Sequence, residues 1–401
     1  MNIDVYGTLV AASLVLLLGN RLVAMTPLLR KWTIPEPVAG GLVVALALFG
    51  LHSFAHIDVK FDASLQTPLM LAFFATIGLN ANLASLKAGG SMLVRFLSVV
   101  IGLLVLQNVV GIGLAMALGV DPLFGLLGGS VSLAGGHGTG AAWGKVFTEH
   151  HGLQSATEAA IACATFGLVM GGILGGPVAQ HLMKRIGRGE GSQAEAPRGA
   201  HTQAFEEPKA EQPTTAAAFI ETLTLIAISL AAGNVIAGWL ASTPAELPAF
   251  VCVLFVAVLL ANGLALVGKP VTEHAVALIG NVSLALFLAM ALMTLRLWDL
   301  AALALPVFSI LAAQTVLMVV YAMFVTFRVM GSNYDAVVLS AGHCGFGLGA
   351  TPTAIANMQA VTARFGHSHL AFLVVPMVAA FFIDIVNAIV IKLFLALPIF
   401  Q

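Results

Sequence analysis

"SLAGGHGTGAAWGKV" occupies residues 132–146, and "SAGHCGFGLGATPTAIANM" occupies residues 340–358. Glycine, threonine and histidine crowd these two runs. Glycine weakens a helix through its backbone entropy, and polar side chains are costly in hydrocarbon. What surrounds the runs therefore decides how they are read.

The surroundings are those of a membrane protein. The chain has 401 residues, is 59% hydrophobic, and holds 17 Lys and Arg with 18 Asp and Glu. A soluble protein carries roughly a quarter charged residues, so that class is excluded. Apolar stretches of about 20 residues, long enough for a bilayer core, recur along the chain. The opening "MNIDVYGTLVAASLVLLLGN" has Asp4 and no basic residue before its apolar run. It lacks the positive n-region of a cleaved signal peptide and reads as a retained first span. A net charge of −1 without a basic block gives no sign of a nucleic-acid partner. Cys163, Cys252 and Cys344 lie in apolar surroundings without paired spacing, which suits packed helix residues better than a disulfide framework.

Spans are expected near 5–25, 34–54, 66–86, 92–118 and 156–183, and again near 217–240, 247–267, 274–295, 300–327 and 369–397. Between the two sets, Lys184–Thr215 carries ten charges with Pro, Gly and Gln, a linker composition. The division is a first unit 1–187, a polar linker 188–214, and a second unit 215–401. Lys and Arg set the orientation. With the N-terminus outside, thirteen of them (Arg21, Arg30, Lys31, Lys87, Arg95, Lys184, Arg185, Arg188, Arg198, Lys209, Lys269, Arg328 and Arg364) face the cytoplasm. Four (Lys60, Lys145, Arg296 and Lys392) lie outside. Both termini are thus expected to be periplasmic and the linker cytoplasmic.

An internal repeat appears at an offset of 213–214 residues. Gly19-Asn20 matches Gly233-Asn234, "IP" at 34–35 matches "LP" at 247–248, and "FFA" at 73–75 matches "FLA" at 287–289. Gly129 and Gly136 match Gly342 and Gly349. Each unit has an odd number of spans, so the second must be inverted. The expected fold is an all-α polytopic membrane protein of two inverted repeats of five helices, each with a re-entrant Gly-rich hairpin, near 121–145 and 331–358. Inverted repeats meeting at the midplane are a secondary-transporter architecture.

Non-helical backbone survives at membrane depth only inside protein or beside a water-filled cavity. Helix N-termini attract carboxylates there, while unwound carbonyls coordinate Na⁺. Carboxylate binding is accordingly placed on the N–H groups and hydroxyls of Ser130, Ser132, Gly135, Gly136, His137, Gly138, Thr139 and Gly140 in the first run. In the second it falls to Gly345, Gly347, Gly349, Thr351 and Thr353. Sodium falls to loop carbonyls with Asn357 and Asp384, and more weakly to Thr76 and Asn80. The competing reading, glycine as a tight-packing face, suits "GGILGG" at 171–176 better than these polar runs.

Asp384 in "FFIDIVNAIV" reads either as a cation or proton site or as a hydrogen-bonded partner for another helix. Gln107, Asn108 and Gln314 read as binding neighbouring helix backbone, and Pro35-Glu36-Pro37 as a chain break. "GFGLGA" lacks the βαβ setting of a dinucleotide fingerprint, and "GTGAAWGKV" lacks P-loop spacing. His343-Cys344 is the sole pair a membrane enzyme could use, and neighbours on a helix point apart. No enzyme activity and no cofactor beyond a coupling ion are expected.

At "GGHGTGAAW" (135–143) and "GFGLGATPTAIANM" (345–358) the chain resembles the bacterial sodium/glutamate symporter family, and the resemblance runs its full length. It implies Na⁺-driven uptake of L-glutamate across the inner membrane, opposed re-entrant loops, and a homodimer. Glutamate rests on the resemblance alone. The residues by themselves leave open citrate, aspartate or another carboxylate, proton coupling through Asp384, and a channel.

Overall fold

Helix α1 (Val5–Met25) starts where Asp4 accepts the N–H of Gly7 at 2.9 Å, pairing one of the donors every helix leaves free at its start. The computed structural model describes residues 2–27, 29, 35–55, 59–81, 90–186, 215–241, 243, 247–293, 303–366 and 368–400. After α1 come α2 (Glu36–Ala55), α3 (Gln66–Asn80), α4 (Gly90–Ala117), α5 (Pro122–Leu126), α6 (Gly136–His151) and α7 (Ala156–Arg185). The second half supplies α8 (Ala216–Leu240), α9 (Ala249–Leu266), α10 (Glu273–Met293), α11 (Ala304–Tyr321), α12 (Tyr334–Leu348), α13 (Thr351–Phe365), α14 (His369–Met377) and α15 (Ile383–Leu395). Helix α11 runs on through a π turn, Ala322–Thr326, to Val329, and a second π turn, Val378–Phe382, joins α14 to α15. Asn2–Ile3 pairs in parallel with Lys60–Phe61.

Among the described residues seven helices (α1, α4, α7, α8, α9, α10 and α11) are long and apolar enough to cross a membrane. Their outward residues, such as Leu14, Leu17, Leu259 and Leu266, are large and apolar, as a lipid-facing surface requires. The three cysteines are buried and free, in keeping with packed helix residues. The linker 188–214 and Arg30, Lys31, Lys87, Arg188, Arg198, Lys209 and Arg296 lie outside the described residues.

The helices sort into two groups. Helices α1, α2, α3, α8, α9 and α10 pack chiefly on one another, and α4–α7 with α11–α15 form the other group. Each group draws on both halves of the sequence, so among the described residues the buried cores are shared between the halves. The main links between the groups run from α6 to α10, from α15 to α9, and from the second π turn to α3. Trp143 meets Phe250 edge-on there, with centroids 5.4 Å apart.

Small residues set the helix crossings. A Cβ on Gly40 would lie 2.1 Å from the Val15 carbonyl oxygen and 3.1 Å from Gly19 Cα, and one on Gly233 2.6 Å from Val253 Cα. A Cβ on Gly41 would lie 2.5 Å from Leu292 Cβ, and one on Gly78 2.4 Å from the Leu254 carbonyl oxygen.

Helices α4 and α11 run antiparallel. Gln314 Nε2 donates to the Gln107 carbonyl at 2.6 Å, while Tyr321 Oη, further along α11, donates to Val99, further back along α4, at 2.7 Å. Helix α5 follows the end of α4, and α12 follows the end of α11. The two glycine runs therefore start from opposite ends of the bundle.

Candidate substrate site between two helical hairpins

Each glycine run folds as a helical hairpin. Asp121 accepts the Leu123 N–H at 2.8 Å and starts α5, with Pro122 in its first turn. The chain then passes through a π turn, Leu127–Val131, broken at Gly129 (φ −100°, ψ −137°). After a turn at Ala134-Gly135, Gly136 opens α6 with φ +68°, a left-handed conformation suited to glycine. In the second hairpin Asn333 accepts the Ala336 N–H at 2.9 Å and starts α12. That helix ends at Gly349, and α13 begins at Thr351 with Pro352 in its first turn.

The tips face one another. A Cβ on Gly136 would lie 3.7 Å from the Gly349 carbonyl oxygen. Neither α6 nor α13 has a side-chain N-cap. Their first-turn N–H groups lack intrahelical partners and carry the positive end of each helix dipole.

Around the tips lies a cavity of about 500 Å³, a size that suits a small-molecule ligand. Ala134–Gly138 and Gly349–Thr353 supply one wall, with Leu168 of α7 and Asp384 of α15. The facing wall comes from the other helix group: Glu36, Phe73, Asn281, Leu284 and Leu288. Among the described residues the lining contains no Lys or Arg. N–H donors and hydroxyls suit carboxylates, and the Asp384 and Glu36 carboxylates suit a cation or an ammonium group. Glu36 itself accepts from Asn20 Nδ2 at 3.0 Å.

Of the residues expected to bind substrate, Gly135, Gly136, His137, Gly138, Gly349, Thr351 and Thr353 line the cavity. Thr139 adjoins it, its Oγ1 3.4 Å from Asp384 Oδ1, beyond the usual O–H···O range. Thr351 Oγ1 donates to the Ala379 carbonyl at 2.9 Å. The Thr353 hydroxyl is buried without a partner among the described residues. Thr165 Oγ1 gives its proton to the Ile161 carbonyl, so at 3.0 Å from His137 Nε2 it accepts. That leaves His137 Nδ1 as the acceptor of the ring.

Ser130, Ser132, Gly140, Gly345 and Gly347 are not among the lining residues. Both serines are fully buried. A Cβ on Gly140 would lie 3.0 Å from Ser132 Oγ, and one on Gly345 2.5 Å from Ala354 Cα. The Gly347 carbonyl accepts from Gln107 Nε2 at 2.8 Å.

Of the sodium candidates only Asp384 lines the cavity. Asn357 Nδ2 donates to the carbonyls of Gly171 at 2.8 Å and Ala341 at 3.3 Å, tying α13 to α7 and α12. Thr76 Oγ1 donates to Phe73 of its own helix at 2.7 Å, and Asn80 ends α3. His343 is buried against Phe96, Tyr321 and Phe346, with Thr326 Oγ1 2.9 Å from Nδ1. Asn281 and Phe73 were not singled out from sequence. A lone amide in the apolar run "LIGNVSLALF" was the available signal for Asn281.

Two opposed hairpins meeting at a cavity, with seven membrane-length helices among the described residues, define a helical membrane transport protein. A family model described as Sodium/glutamate symporter matches residues 1–367. The chain is 62% identical to the sodium/glutamate symporter of Escherichia coli over 402 aligned residues, covering 100% of this chain and 99% of that protein. It is 52% identical to the sodium/glutamate symporter of Haemophilus influenzae over 388 residues, 96% of each chain. The chain belongs to the sodium/glutamate symporter family.

Proposed function

We propose that this protein is a secondary carrier coupling Na⁺ influx to uptake of L-glutamate by alternating access. The observation that carries the reading is the meeting of Gly136 and Gly349, which brings two uncapped helix N-termini to one cavity. Glutamate presents two carboxylates and one ammonium. The carboxylates pair with first-turn N–H groups of α6 and α13 and with the Thr353 hydroxyl. The ammonium faces Asp384. Family membership supplies glutamate and Na⁺ as the pair transported.

Residues 1–187 and 215–401 act in this reading as inverted repeats, each contributing a re-entrant hairpin. Several contacts support it at the offset of 213–214 residues seen in sequence. The Gly19–Gly40 approach recurs as Gly233–Val253, and the Gly78–Leu254 approach recurs with the units exchanged as Leu292–Gly41. The antiparallel run of α4 and α11 supports hairpins inserted from opposite faces. The cavity lies where the two helix groups meet, so displacing one group against the other would open it to each side in turn. The carrier is placed in a bacterial inner membrane as a homodimer, with both termini periplasmic and residues 188–214 cytoplasmic.

Uptake of labelled glutamate into proteoliposomes under an imposed Na⁺ gradient tests this. Accumulation should follow the Na⁺ gradient and be absent when K⁺ or H⁺ gradients replace it. Accumulation driven by H⁺, or of citrate rather than glutamate, would contradict the reading.

A further inference from the structure

The break at Gly129 carries a second polar centre, outside the cavity lining. Asn108 Oδ1 accepts from the Ser130 N–H at 3.0 Å, and Asn387 Nδ2 donates to the Ser130 carbonyl at 2.9 Å. Helices α4 and α15 thus hold the backbone of one residue from two sides. All three residues are fully buried. Each leaves a side-chain atom unpaired among the described residues: Ser130 Oγ, Asn387 Oδ1 and Asn108 Nδ2. Gln107, beside Asn108, leaves Oε1 unpaired while its Nε2 reaches Gly347. A buried polar atom without a partner calls for a water or an ion.

The oxygens favour an ion of a particular kind. Asn387 Oδ1 shares its amide carbon with an Nδ2 only 2.9 Å from the Ser130 carbonyl, and Ser130 Oγ belongs to that same residue. Neither oxygen is formally charged. A divalent cation draws on carboxylates, whereas neutral hydroxyl and amide oxygens suit a monovalent one. Asn387 lies one turn beyond Asp384, which faces the cavity, and Ser130 lies in the hairpin that presents Gly136. An ion here would fix hairpin and helix together before substrate arrives, which is a linkage between two sites.

We infer that Ser130 Oγ and Asn387 Oδ1 are ligands of a Na⁺ site at the Gly129 break, distinct from the substrate cavity, that organises the first hairpin for glutamate. This rests on the Na⁺-coupled reading and deepens it. Ser130→Ala is the informative variant, because both asparagines hold the backbone of Ser130 and that bracing survives the change. The test follows the melting temperature of the purified protein as NaCl replaces KCl at constant ionic strength, without glutamate. Wild type should be stabilised by Na⁺ over K⁺. Ser130→Ala should need about tenfold to a hundredfold more Na⁺ for the same rise, the loss expected when a charged group loses one partner. Asn387→Asp, which adds a negative charge at the ligand position, should move the midpoint to lower Na⁺. A bracing role alone predicts no such opposed shifts. Wild-type Na⁺ curves from both variants would overturn the site and leave coupling intact, the hydroxyl being served by water. A wild type indifferent to Na⁺ would overturn a site occupied before substrate, while the coupled reading stands or falls on gradient-driven uptake.

Discussion

Gly136 and Gly349 face each other across the tips of two hairpins, near enough that a Cβ on the first would lie 3.7 Å from the carbonyl oxygen of the second. They also stand 213 residues apart, the offset that recurs between the two halves of the sequence. A chain with few charges can bind a charged substrate this way, because donors come from the backbone of two helix starts. Among the described residues no Lys or Arg lines the cavity and has to be neutralised when the site is empty of substrate.

Thr353 tests the polar contribution of the second tip. Its hydroxyl is buried, unpaired among the described residues, and at the cavity wall. Thr353→Val keeps the shape and removes the hydroxyl. Glutamate affinity should fall about 10- to 100-fold, the range for a hydrogen bond to a charged group. Equilibrium binding at saturating Na⁺ measures it.

Asp384, at the cavity wall, is the proposed partner of the substrate ammonium. Asp384→Asn should weaken glutamate by at least about tenfold yet leave competition by glutarate, which has no amine, much less affected. The two inhibition constants measured on one preparation decide it. Equal loss for both compounds would return Asp384 to another role.

Gly138 marks where the two helix groups touch. A Cβ there would come within 2.6 Å of Phe73 Cε1, closer than carbon atoms pack. Gly138→Ala should insert and fold but lose most uptake, and adding Phe73→Leu should restore part of it. Uptake rates normalised to membrane expression for the single and double variants make the comparison.

Much of the cavity lining was legible because glycine marks backbone irregularity. The two runs, their pairing at one offset and the hairpin tips followed from where glycine, threonine and histidine sat among apolar residues. Gln107 and Gln314, read as partners for neighbouring backbone, do bind the carbonyls of Gly347 and Gln107. The placement of Ser130 and Ser132 was not legible. Residue spacing translates into a face only on a regular helix, and the π turn at Leu127–Val131 with its break at Gly129 turns both serines behind the tip. The opposite wall was equally hidden. Phe73, Leu284 and Leu288 are ordinary span residues by composition, and only the packing of α3 and α10 against the hairpins gives them a role.

Topology provides a further check. Tags at residue 2, in the linker near residue 200 and at residue 400, probed in oriented vesicles with an impermeant reagent, should label on the outside, the inside and the outside. Shortening 190–210 should leave glutamate uptake largely intact, since a polar linker acts as a tether.

The central question for this carrier is whether the meeting point of the tips is one substrate site open to each side in turn. A single cysteine at Ala350, in a background lacking Cys163, Cys252 and Cys344, measures this through its modification by an impermeant thiol reagent applied from either face. The prediction is partial labelling from both faces, suppressed by glutamate together with Na⁺, while a cysteine at Ser132 in the same background stays protected throughout. Labelling of position 350 from one face only, or labelling unaffected by glutamate, would contradict it.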